Sequence, residues 1–216
     1  MESKIRRSFS SRKYVKMGKS VNKQGFLLKG ENKTRLIVFD LDDTLVKTEA
    51  KIKVVSRKTG KILKELTPEE FNFYVSHPSK VLDFEDFDNP EILRQGKFIR
   101  EVLGKLLSYY ERKIPVAIVT ARSSSPMVRN FFLENGIDIH PELVIAVNDP
   151  EAKIEGENVA QRKLYALKRL REMGFSDFTF FDDNEDNLRL ALQMRNLGST
   201  IKLVKVEDSV PRKLKI

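Results

Sequence analysis

From Arg35 onward the chain alternates between short apolar runs and segments of helical period. Leu36-Ile37-Val38-Phe39, Ile114 to Val119, Leu143 to Val147 and Phe178 to Phe181 are almost free of polar residues, and Ile201-Lys202-Leu203-Val204 is a weaker fifth run. Continuous apolar runs of this length read as strands of a parallel sheet buried on both faces. Between them, Phe98-Ile99-Val102-Leu103-Leu106-Leu107 repeats with a helical spacing. Met127-Phe131-Phe132 does the same and stops at Gly136, Val159 to Met173 is closed by Gly174, and Leu188 to Leu197 is closed by Gly198. Glycine just past a helical pattern is a natural C-terminal stop. Strands alternating with helices of these lengths predict an α/β fold, a doubly wound parallel sheet with helices on both faces.

One stretch, about 47–96, breaks the alternation. Lys51 to Val55 and Lys61 to Leu66 alternate in polarity around Lys58-Thr59-Gly60, which predicts a hairpin. Thr67-Pro68-Glu69-Glu70 then carries a capping signature for a short helix. The acidic segment Asp83 to Asp88 fits no element. The reading is therefore a small hairpin and helix insertion after the first strand of one domain, 35–216, preceded by an arm, 1–34.

Charge sets that arm apart. Residues 1 to 35 hold eleven Lys or Arg against two acids, a surplus equal to the whole net charge of +9, and the rest of the chain is balanced. With no hydrophobic period before about Phe26, the first twenty or so residues read as extended or disordered. A basic arm suits nucleic acid, an acidic partner or an organelle presequence, and a solvated tail is the bland alternative. Zero cysteines exclude disulfides, thiolate zinc sites and cysteine nucleophiles, and favour a reducing compartment. The expected location is the cytoplasm, or a host's cytoplasm for a virus-encoded chain. No apolar run is long enough to span a membrane. Two histidines and no tryptophan leave the chemistry to carboxylates, hydroxyls, Lys, Arg and an oxygen-ligated metal.

In open α/β sheets ligands bind at the carboxyl ends of the strands. The first run ends in Asp40-Leu41-Asp42-Asp43-Thr44, the second in Thr120-Ala121-Arg122, and the fourth in Asp182-Asp183-Asn184-Glu185-Asp186-Asn187. So many carboxylates at one sheet edge repel one another unless a cation sits among them, and hard oxygen ligands select Mg²⁺. Asp43 reads as a turn residue, Asp186 as a helix cap and Thr44 as a hydroxyl bracing its loop.

The set Asp40-x-Asp42-x-Thr44, Thr120, an upstream Lys and Asp182-Asp183 resembles the haloacid-dehalogenase-like superfamily, chiefly its magnesium-dependent aspartyl phosphatases. The resemblance spans about residues 35 to 206 and implies that family's Rossmann-like core. It implies Mg²⁺ held by the side chain of Asp40, the backbone carbonyl of Asp42 and Asp183, with Asp182 and Asn187 close behind or acting through water. Asp40 is then the nucleophile that forms an aspartyl-phosphate, and Asp42 the acid and base that protonates the leaving oxygen and later activates water. Thr120, with nearby backbone N–H groups including that of Ala121, holds the phosphoryl oxygens. Lys163, twenty residues before Asp183, neutralises phosphate and Asp40; Lys153 is its rival for that place. Arg122 can clamp a second face of the phosphate bidentately, and its T-x-R setting resembles the S-x-R of polynucleotide-end phosphatases in that superfamily.

By the same resemblance, the small insertion leaves an open site suited to a large substrate. The expected activity is phosphomonoester hydrolysis with a nucleic-acid end or nucleotide as favoured substrate. The alternatives are a small-metabolite phosphatase, or a non-catalytic nucleic-acid-binding or assembly protein that keeps the fold. No membrane partner is expected, and the pattern says nothing of oligomeric state.

Overall fold

A computed structural model describes residues 34–71 and 73–214. The basic arm, apart from Thr34, lies outside the described residues, so the expectation for it is untouched. The centre is a six-stranded, mostly parallel sheet. Five strands, β1 (Arg35–Phe39), β7 (Val116–Thr120), β8 (Val144–Ala146), β9 (Asp177–Asp182) and β10 (Thr200–Glu207), run parallel. They lie in the order β10-β9-β1-β7-β8, and β11 (Val210–Lys213) adds antiparallel to β10 at the edge. Leu36 to Phe39 and Val116 to Val119 are fully buried, which is why these strands carry no polar alternation.

Helices fill the crossovers: α4 (Arg100–Glu111), α5 (Ser125–Glu134), α6 (Val159–Glu172) and α7 (Glu185–Ala191). Their starts are sealed locally. The side chains of Ser124, Asn158 and Asn184 accept from the backbone N–H groups of Met127, Gln161 and Asp186, respectively. Among the described residues no helix is long and apolar enough to cross a membrane.

The insertion leaves through β2 (Val46–Lys47) and returns on β6 (Lys97–Phe98), which pair antiparallel as a neck. Beyond the neck, β3 (Ile52–Ser56) and β4 (Ile62–Leu66) form the expected hairpin, turning at Gly60 with φ 67°. The capping signature is realised: Thr67 and Glu70 exchange hydrogen bonds of 2.8 and 3.1 Å at the start of α1 (Pro68–Phe71). A third strand, β5 (Lys80–Asp83), pairs with the other side of β3, and the one-turn helices α2 (Glu85–Asp88) and α3 (Pro90–Arg94) follow. Ile52, Val54 and Leu66 make a small core of their own, separate from the main one.

Three expectations shift in register or kind. Phe98 belongs to β6, where it pairs with Val46, and the helix begins at Arg100. The segment Leu188 to Leu197 divides, with α7 ending at Ala191 and a 3-10 turn carrying on to Leu197. Asp83 to Asp88, unassigned from its composition, is the end of β5 and then α2.

Candidate active site

β1 and β9 pair in register, Phe39 beside Phe181, so the residues that follow them arrive together. The Asp40 N–H donates to the Phe181 carbonyl at 2.9 Å, carrying the ladder one step past β1. The chain then turns back through Leu41 to Val46. The N–H groups of Leu45 and Val46 both donate to the Leu41 carbonyl, and Asp43 sits at φ 55°. Asp43 is thus the turn residue its sequence suggests.

Lys163 of α6 reaches this junction from the side. Its Nζ lies 2.9 Å from Asp40 Oδ1 and 2.8 Å from Asp182 Oδ2, with all three side chains buried. Of the two candidate lysines it is Lys163 that meets the carboxylates, whereas Lys153 is exposed at the end of a 3-10 turn. Asp182 is fully engaged: its Oδ1 also accepts from the Asn184 N–H and from Asn187 Nδ2, both at 2.9 Å. Asp183 has the poorest partner, the Thr44 hydroxyl at 3.3 Å. Thr44 therefore braces its loop against the opposite strand end. Asp186 is exposed in the first turn of α7, and Asn184, not Asp186, caps that helix through its side chain.

Asp40, Asp182 and Asp183 can each offer an oxygen such that the three lie within 4.8 Å of one another. Three carboxylates around one ammonium leave an excess of negative charge in a place that water solvates poorly. Burial pushes Asp183 up to about 7, helped by Asp182 and Asp43 and opposed by Lys163. Burial likewise raises Asp40 well above the usual carboxylate range, against the pull of Lys163 and with Asp182 and Asp183 adding to it. Lys163 is held strongly protonated: burial disfavours its charge, but Asp182 and Asp40 outweigh that. An oxygen-only donor set with uncompensated charge fits a hard divalent cation. Asp40 and Asp183 are the ligands best placed to hold it, since Asp182 is committed to Lys163, Asn184 and Asn187. The side chain of Asp42 is absent from the cluster.

Asp42 faces Arg122 instead. Arg122 Nε donates to Asp42 Oδ2 at 2.9 Å and Nη2 to Oδ1 at 2.7 Å, while Nη1 donates to the Phe87 carbonyl at 2.7 Å. The guanidinium is 1% exposed and its carbon lies 5.6 Å from the Phe87 ring centre. This corrects the expectation of Arg122 as a phosphate clamp: its fork is closed on a carboxylate and the insertion covers it. Thr120 ends β7 fully buried, its hydroxyl accepting weakly from the Arg122 N–H at 3.4 Å. Ala121 presents its carbonyl to Asn148 Nδ2 at 2.5 Å. Phe87 is the contact sequence reasoning missed. Its carbonyl serves the site whatever its side chain, so no residue pattern could have flagged it. A cleft of about 420 Å³ between α3 and α5 is lined by Asp88, Leu93, Arg94, Met127 and Phe131, and none of the three clustered carboxylates lines it.

No family model matches this chain, and no curated protein does. Among solved structures it is similar to a hypothetical protein from Xanthomonas campestris, at 20% identity and a TM-score of 0.31, covering 74% of this chain and 60% of that one. The match spans less than two thirds of that protein, and a likeness this distant carries no functional argument.

Proposed function

We propose that this chain is a Mg²⁺-dependent phosphomonoester hydrolase of the haloacid-dehalogenase-like kind, its sheet doubly wound and its nucleophile Asp40. The observation that carries the proposal is Lys163 Nζ held between Asp40 and Asp182 while Asp183 stands 143 residues along the chain from Asp40 yet within ligand range of it. Strand order supports the winding: the crossovers step from β1 to β7 to β8, then reverse to β9 and β10, and right-handed connections place helices on opposite faces when the direction reverses.

In this reading, an Asp40 oxygen attacks phosphorus in line as the bond to the leaving oxygen breaks, and Asp42, turned from Arg122 and carrying a proton, gives that proton to the leaving oxygen. Water then attacks the phosphorus of the aspartyl-phosphate, Asp42 takes its proton, and Asp40 is released. The Lys163 ammonium and the Thr120 hydroxyl receive the phosphoryl oxygens. The Asp40 and Asp183 side chains, with the Asp42 carbonyl, would hold Mg²⁺, which offsets carboxylate charge and withdraws charge from the phosphoryl group when bound.

The favoured substrate is a nucleic-acid end or a nucleotide phosphate, supported by the small insertion and by the charge of the arm. Hydrolysis of an aryl phosphate by the parent and by Asp40→Asn, with and without Mg²⁺, tests the activity. Turnover in the parent alone, and only with the ion, is expected; no turnover of any phosphoester by the parent overturns the proposal. Affinity for a 3′-phosphorylated oligonucleotide, measured across salt concentrations with and without residues 1–30, tests the substrate. An unchanged affinity and salt slope would remove the nucleic-acid preference.

A further inference from the structure

Arg122 is the largest fully buried side chain among the described residues, and its hydrogen bonds divide between two bodies. Two go to Asp42, at the end of β1, and one goes to the Phe87 carbonyl in the insertion. The next residue repeats the link, the Ser123 hydroxyl donating to Asp88. From Phe87 the contact runs inward through Phe84, at 6.4 Å between ring centres, to Phe71 at 5.6 Å. Phe71 and Phe87 pack on Ile52, Val54 and Leu66, the separate core of the insertion. That small body is therefore tied to the main domain by its neck and, at the other end, by Arg122.

We infer that Arg122 is a positioning residue that couples the placement of the insertion to the direction of the Asp42 carboxylate. A guanidinium is planar, and a bidentate grip on a carboxylate sets both the distance and the plane of its partner. With Nη1 fixed by Phe87, the plane cannot turn without breaking a buried hydrogen bond. Movement of the insertion away from β7 thus frees Asp42 to change direction. Arg122 acts on Asp42 and not on the phosphoryl group, which cannot reach so buried a fork. The inference deepens the proposed function, because it rests on the acid and base role given to Asp42; the coupling itself is a matter of geometry and is tested apart from activity.

The first arm is amide hydrogen exchange on the full chain. Arg122→Lys and Asp42→Ala should each raise exchange across residues 80–88 at least tenfold, with β1 and β9 unchanged, and Asp42→Ala carries the test if Arg122→Lys fails to fold. Exchange unchanged in residues 80–88 overturns the coupling, whether or not the protein turns over any substrate. The second arm compares an aryl phosphate with a good leaving group against an alkyl phosphate with a poor one. Arg122→Lys should change the ratio of kcat on the alkyl ester to kcat on the aryl ester at least tenfold, and should change nothing further in an Asp42→Asn background. Equal losses on both esters with a raised KM would place Arg122 on the substrate and overturn the inference. A parent that hydrolyses neither ester defeats the proposed function, while the exchange arm still decides the coupling.

Discussion

Phe39 stacks on Phe181 with ring centres 4.5 Å apart and planes 17° from parallel, and each ring immediately precedes a carboxylate of the site. The stack locks the register of two parallel strands at the point where it matters. Side chains alternate along a strand, so a slip of one residue would turn Asp40 away from Asp182 and Lys163. Apolar packing beneath the site thus holds together charges that would otherwise separate.

Mg²⁺ should stabilise the folded chain through Asp40 and Asp183. A ligand at a hundred times its Kd contributes about 2.7 kcal/mol, which for a chain of this size raises Tm by roughly 5–10 °C. Asp183→Asn should reduce that shift to about 2 °C or less in a thermal melt. An equal shift in parent and variant would place the ion elsewhere.

The Mg²⁺ effect should grow with pH. Asp183 titrates at about 7 in the folded chain and Asp40 is also raised, both chiefly through burial. Unfolded, these carboxyls lose their protons near pH 4, so between about 4 and 7 the folded chain binds more protons. Their contribution to stability is fully present below about pH 4 and is lost as pH rises through 7. Without metal, Asp183→Asn should come closest to the parent near pH 4 and exceed it increasingly up to pH 8. The Mg²⁺ shift of the parent should be small at pH 5 and large at pH 8, and a shift constant across that range would contradict this account.

Lys163→Met should be costly where the carboxylates are ionised. It leaves Asp40 and Asp182 buried without their cation, a loss of about 3–5 kcal/mol for a broken buried pair. Urea unfolding at pH 8 should show that loss, with a smaller one at pH 5, where Asp40, already raised by burial, can hold a proton instead. A loss under about 1 kcal/mol at pH 8 would mean the ammonium is not what balances the cluster.

Gly96 should tolerate no side chain. A Cβ there would lie 2.6 Å from Val46 Cγ1 and 2.9 Å from the Leu93 carbonyl, at the neck of the insertion. Gly96→Ala should destabilise the chain by about 1–3 kcal/mol through overpacking, measured by urea unfolding. It should also raise protease sensitivity within residues 48–95. A variant as stable as the parent would mean the neck has room that the packing does not show.

Several features missed along the sequence have plain causes. β11 contains Pro211, which argues against a strand, yet β11 lies at the sheet edge, where a missing N–H does little harm. β5 is four residues of mixed polarity whose pairing with β3 spans some thirty positions, which no local pattern records. Phe98 keeps the helical spacing of its neighbours because it packs against Phe131, 5.2 Å away, while its backbone belongs to the neck.

The sequence by itself determined the parallel strands, the hairpin and the acidic strand ends, because each depends on neighbours a few residues apart. Burial on both faces writes an apolar run, and a turn or a cap writes its own residues. Only the tertiary structure brought Lys163, and not Lys153, to the acidic strand ends, set Arg122 against Asp42, and brought the Phe87 carbonyl to its side. Those outcomes depend on which long side chain reaches which partner across 35 to 123 residues of chain, a matter of distance in space that local spacing does not encode.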